Sequence, residues 1–209
     1  MSQFLKIGVG GSAANPPTIG HRALIRALLF CGFFDLIIWR VSGSRRDKNV
    51  TTSADDLAQM TNLMLPKNWF TLPTKLIVQF NDVYWENTPA IIMLDELAER
   101  YPGAKITWFT GADSIVPQIK YRGWSEIEAC WLRGEELIAK WPFLIIPRQG
   151  YSRPKNLPAN FSILPVKLPN VSSSQVRKLI ARGKPFEHLL TPAVAKYVKR
   201  WRLYGYNSR

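Results

Sequence analysis

The chain has 209 residues, 46% of them hydrophobic, and carries 28 Lys and Arg against 15 Asp and Glu for a formal charge of +13. That length can bury a full core without disulfides or metals, and two cysteines, Cys31 and Cys130, are too few for a disulfide framework and lack zinc-type spacing. Both are expected to be small buried hydrophobes, and the most apolar stretch, 27–39, interrupted by Asp35 between Arg26 and Arg40, is too short to span a bilayer.

Residues 4–9 form a mostly apolar run broken by Lys6 and read as a strand opening the chain, with no signal peptide before it. The strand is expected to end at Gly10 and Gly11, where absent side chains let the backbone turn tightly with bare N–H groups. Pro16 and Pro17 forbid helix immediately before Thr18, whereas 20–30, GHRALIRALLF, sets apolar residues at helical spacing with His21 at the mouth.

Next come a β-rich run, LIIWRV at 36–41, a polar loop at 42–52, and a helix from Ser53 with Leu57, Met60, Leu63 and Met64 on one face. A strand is expected over 75–80 and a helix over 90–101 with Ile91, Leu94, Leu97 and Ala98 inward. A strand over 106–110 follows, with Trp108 in the core, then a helix over 125–140 and a short buried strand over 143–146. Ser172, Ser173 and Ser174 are N-cap candidates for a last short helix at 175–182.

This alternation predicts an α/β fold, a Rossmann-like doubly wound parallel sheet with right-handed crossovers. One domain, 1–209, with a small helical C-terminal part at 172–209, is the expected organisation. Ligands of such sheets sit beyond the carboxyl ends of the strands where strand order reverses, and Gly11 and Gly111 are expected just past such ends.

Two distant stretches then stand out as halves of one site. The first, 11–21, GSAANPPTIGH, puts His21 at a helix N-terminus, where free amides favour anions and an imidazole can donate to a phosphate oxygen. The second, 171–177, VSSSQVR, offers another capped helix end, with Arg177 in its first turn able to fork onto two phosphate oxygens. Charge points the same way. Residues 1–136 hold 14 basic and 14 acidic side chains, while 137–209 hold the other 14 basic residues against Glu187 alone. Polyphosphates would be drawn to that part, as would nucleic acid, and a plain solvated basic surface is the alternative beyond Arg182.

These stretches resemble the GGSFNPxHxGH and ISSSxxR signatures of the nucleotidylyltransferase superfamily. Within it the chain is most similar to nicotinate or nicotinamide mononucleotide adenylyltransferases, through the closing pattern at 190–204, LTPAVAKYVKRWRLY, and the central WFTGADS at 108–114. Differences are visible too. Thr18 stands at the first histidine and Ser12, Ala13 and Ala14 replace Gly-Ser-Phe. Tyr121 takes the place of a stacking Trp, with Trp124 three residues on. Asp55 and Asp56 stand where a basic residue is frequent, and 84–94, YWENTPAIIML, lacks the usual Tyr-Thr pair.

The resemblance implies adenylyl transfer from ATP to the phosphate of a pyridine mononucleotide in the cytoplasm, with no membrane partner. Under it His21 and Arg177 are catalytic. Gly11, Ser12, Thr18, Gly111, Asp113, Ser172, Ser173 and Ser174 join them around ATP, and Asn15, Tyr121 and Trp124 contact the mononucleotide. No metal-spaced carboxylates are expected, so Mg²⁺ would ride mainly on substrate phosphates and water. A sister adenylyl- or cytidylyltransferase with another acceptor, a nucleotide- or nucleic-acid-binding protein of the same fold, and a homo-oligomer stay open.

Overall fold

In the computed structural model the described residues are 4–43, 52–151 and 157–207. The expected polar loop at 42–52 lies largely outside them. Six strands, β1 (Lys6–Ser12), β2 (Leu36–Val41), β3 (Lys75–Gln79), β4 (Lys105–Gly111), β5 (Phe143–Ile146) and β6 (Phe161–Ile163), form one sheet in the order β3-β2-β1-β4-β5-β6. Every pairing is parallel. Strand order reverses between β1 and β4, and the crevice of a doubly wound sheet opens there.

The strands are apolar on both faces because helices cover both. Along β2, Ile37, Trp39 and Val41 enter one core and Leu36 and Ile38 the other, as the two-residue period of a strand demands. The first core is closed by α1 (Ile19–Phe30), α2 (Ala54–Met64), α8 (Ser173–Ala181) and α9 (Pro192–Arg200), through residues such as Leu28, Met60, Val176 and Val194. The second is closed by α4 (Ala90–Arg100), α6 (Glu126–Cys130) and α7 (Gly134–Lys140), through Ile91, Leu94, Ile127 and Leu137. Trp108 is buried in it, as expected.

Several expectations need correction. β1 does not end at Gly10 but runs on to Ser12, and its register with β2 continues through Gly11 opposite Arg40. Gly10 and Gly11 therefore serve close approach rather than a turn. A Cβ on Gly11 would fall inside the envelope of the Arg40 carbonyl oxygen, and one on Gly10 would meet that of Phe109. Gly111 is likewise the last residue of β4, not one past it.

The expected helix 125–140 is two helices. Arg133 between them takes the left-handed conformation at φ 51°, and Gly134 packs against the carbonyl of Ile127 so closely that no side chain fits. Two one-turn helices, α3 (Asn81–Tyr84) and α5 (Ala112–Ile115), and the three-residue β6 escape a periodicity reading because they are too short to show a period. Cys130 is exposed and Cys31 only partly buried, so neither is the buried hydrophobe expected. No helix among the described residues is long and apolar enough to cross a membrane.

Candidate active site

The first half of the site is built by a capping box. Thr18, with 0% of its surface exposed, caps α1, and its hydroxyl accepts from the backbone N–H of His21. In return the N–H of Thr18 donates to Nδ1 of His21 at 3.0 Å. An Nδ1 that accepts this bond carries no proton, so the ring's proton sits on Nε2. The Nε2 edge faces the oxygen of Ser12 at 3.2 Å, and that oxygen also accepts from the N–H of Ala14 at 3.2 Å. Trp39 meets the imidazole in a T-shaped contact at 6.4 Å between centroids and stacks in turn on Phe109. Burial, and secondarily the positive charge of Arg148, pull the His21 pKa down to about 4. At neutral pH His21 is therefore an uncharged donor with a fixed tautomer.

The second half is the N-terminus of α8. Ser172 is the cap, accepting from the N–H of Gln175 at 3.1 Å. Ser173 turns away from its own helix and donates to the carbonyl of Pro16 at 2.8 Å. Arg177 donates from Nη1 to the carbonyl of Asn15 at 2.5 Å and from Nη2 to the hydroxyl of Ser174 at 3.1 Å. It lies in the second turn of α8, not the first, because the helix begins at Ser173. Helical side chains tilt toward the N-terminus, and the long Arg177 side chain follows that direction to the carbonyl of Asn15. Gly20 completes the seam, since any Cβ there would lie 2.9 Å from Val171. The two halves read from sequence thus form one continuous surface.

Beyond them the carboxyl ends of β4 and β5 contribute charge. Asp113, in α5 directly after Gly111, is ion-paired with Arg148, which follows β5. Its backbone carbonyl accepts from Gln118 at 2.5 Å. At the end of β2 the buried Arg40 is paired with the buried Asp82 of α3 and donates to the sulfur of Met93. Burial lowers the Arg40 pKa against the opposing pull of Asp82. Asp82 also accepts from the N–H of Thr88 at 3.1 Å, fixing the start of the 84–94 stretch. Asp55 and Asp56, found where a base was expected, accept from the hydroxyls of Tyr84 and Tyr197.

Tyr121 and Trp124 belong to a turn whose hydrogen bonds close on itself, Gln118 to Trp124 at 3.0 Å and Trp124 to Tyr121 at 3.0 Å. Trp124 is 52% exposed, and Lys120 lies over the ring of Tyr121 at 4.4 Å. Asn15 is only 4% exposed, with its side-chain oxygen taken by the hydroxyl of Tyr204. Reading residue by residue missed Arg148 and Tyr204. Arg148 was within reach of topology, since it follows a strand beside the reversal point. Tyr204 ends the closing pattern at 190–204, but nothing near it in the chain points to Asn15.

No known family profile matches the chain. Curated relatives named nicotinate-nucleotide adenylyltransferase do match it end to end. That of Caldicellulosiruptor saccharolyticus is 25% identical over 210 residues, covering 96% of this chain and 99% of its own. That of Carboxydothermus hydrogenoformans is 28% identical over 211 residues, covering 95% and 98%. Among solved structures, the nicotinic acid mononucleotide adenylyltransferase of Plasmodium falciparum complexed with NaAD superposes with a TM-score of 0.78 at 20% identity. It covers 97% of this chain and 98% of that one, a likeness of fold.

Proposed function

We propose that this chain, similar along nearly its whole length to nicotinate-nucleotide adenylyltransferases, transfers the adenylyl group of ATP to nicotinate or nicotinamide mononucleotide in NAD biosynthesis. The observation that carries the assignment of roles is the meeting of α1 and α8. Two helix N-termini, a neutral imidazole and a guanidinium converge on the 12–18 loop at the point where strand order reverses.

An oxygen of the mononucleotide phosphate attacks the α-phosphorus, a new P–O bond forms, and the bond to the bridging oxygen breaks with its electron pair leaving on pyrophosphate. Both reactants are anions, so the protein's task is alignment and neutralisation rather than covalent chemistry. His21 supplies Nε2–H to a phosphate oxygen without itself changing protonation. Arg177 supplies fixed positive charge, and the amides following Thr18 and Ser172 supply further donors. Ser12, Ser173 and Ser174 hold these groups in place, while Gly11, Gly111 and Asp113 line the nucleotide. Asn15, Tyr121 and Trp124 are assigned to the mononucleotide side. Imidazole, guanidinium and amides are poor ligands for a hard cation, and the carboxylate of Asp113 is engaged by Arg148. Mg²⁺ would accordingly ride on the triphosphate oxygens and water, where it would neutralise phosphate charge.

The test is pyrophosphate release from ATP and Mg²⁺ with each mononucleotide offered separately. Replacing one preorganised donor should lower turnover about 10²- to 10³-fold in His21→Ala and in Arg177→Ala, with cooperative thermal melting kept in both. Unaltered rates in the two variants would remove the assigned roles.

A further inference from the structure

The least expected contact in the molecule joins its two ends. The turn Leu203–Gly205 follows α9, and its backbone is contorted. Arg202 at φ 49° and Tyr204 at φ 59° are both left-handed without being glycine, with Gly205 at φ 77° beside them. Side chains with a Cβ resist that conformation, so something must hold it. The Tyr204 hydroxyl donates to the side-chain oxygen of Asn15, 189 positions earlier, and sits 3.9 Å from the sulfur of Met60. Tyr206 packs its ring edgewise on Phe186 at 5.9 Å, and Leu203, Tyr204 and Tyr206 all pack against the same core as α8 and α9.

Asn15 has two duties that the turn brings together. Its backbone carbonyl receives Nη1 of Arg177, and its side chain, buried to 4% exposure, is anchored by Tyr204. Without that anchor the Asn15 amide would be a buried polar group seeking another partner, and the carbonyl that aims Arg177 would move with it. We propose that Tyr204 is a positioning residue for adenylyl transfer, fixing through Asn15 the direction in which Arg177 meets the triphosphate. This rests on the proposed function for the identity of the reaction but not for the contact itself. The closing segment of the chain is then part of the active-site support rather than a passive cover.

The experiment is Tyr204→Phe, which keeps the ring and removes only the hydroxyl, made in the wild-type chain and again in Arg177→Ala. In the wild-type background the loss of one well-placed hydrogen bond should weaken ATP binding by calorimetry and lower kcat, each about five- to tenfold. Thermal melting should remain cooperative. In the Arg177→Ala background the same change should make less than about a twofold further difference, because the group it positions is gone. A merely structural role would lose the same factor in both backgrounds, and that result would overturn the proposal. So would unchanged ATP affinity in Tyr204→Phe. If neither mononucleotide were turned over while ATP binding still responded to Tyr204 only in the presence of Arg177, the proposed acceptor would fall and this inference would stand.

Discussion

The two helix ends assigned to the triphosphate under the proposed function are built to opposite plans. At α1 every hydrogen bond of the His21 ring lies within nine residues of it: Thr18 three before, Ser12 nine before, and a capping box closing the loop. At α8 the cap is local, but the residues that aim it are remote. Ser173 reaches Pro16 across 157 positions, Arg177 reaches Asn15 across 162, and Tyr204 reaches Asn15 across 189. One end is a corner of the sheet fixed by its own loop, and the other is docked against that loop by distant segments of the same core. The tautomer of His21 is thereby set locally on the first side, while Arg177 is aimed by distant backbone on the second.

The sharpest way to break that contrast is at the corner. Gly11→Ala would thrust a methyl into the Arg40 carbonyl, where only backbone could give way. It should cost about 3 kcal/mol or more in urea unfolding, and a variant of wild-type stability would show that β1 and β2 can part there. A second effect comes from His21, whose folded pKa of about 4 lies below the free value of 6.5. Between these values the unfolded chain takes up a proton that the folded one refuses. The stability from neutral His21 is therefore complete above pH 6.5 and drains away as pH falls toward 4, by up to about 3 kcal/mol. Urea midpoints at pH 5 and 7.5 should differ in the wild type and converge in His21→Gln; an equal gap in both would assign the acid sensitivity elsewhere.

The smallest effect sharpens the comparison most directly, because it sets one cap against the other. Thr18→Ala removes a fully buried cap that also anchors the imidazole, and should cost about 2 kcal/mol, while Ser172→Ala removes an open one and should cost about 1 kcal/mol. Thermal melting of the pair should rank them in that order, and a reversal would mean that the docked end, not the corner, bears the greater load.

Much of the architecture was legible because it is written in periods. Leu36–Val41 and Phe143–Ile146 match the expected strands residue for residue, since a strand buried on both faces must be an unbroken apolar run. Ser53 and Ser172 cap their helices as expected, because a hydroxyl at a helix start satisfies amides three residues on. Gly10 and Gly11 were recognised but misread. Their missing side chains serve the approach of neighbouring strands, which no count along the chain reveals.

What the sequence alone determined is therefore whatever short-range chemistry dictates: the alternation of elements, the serine cap of α8, the histidine at one mouth and the arginine near the other. Only the tertiary structure decided the rest. It set the strand order 3-2-1-4-5-6 and paired Arg148 with Asp113, and it clamped Tyr204 on Asn15 with the resulting aim of Arg177. The reason is physical. Caps and periods arise between residues a few positions apart and leave a pattern in the string, whereas contacts between residues 35 to 189 positions apart exist only once the chain has folded.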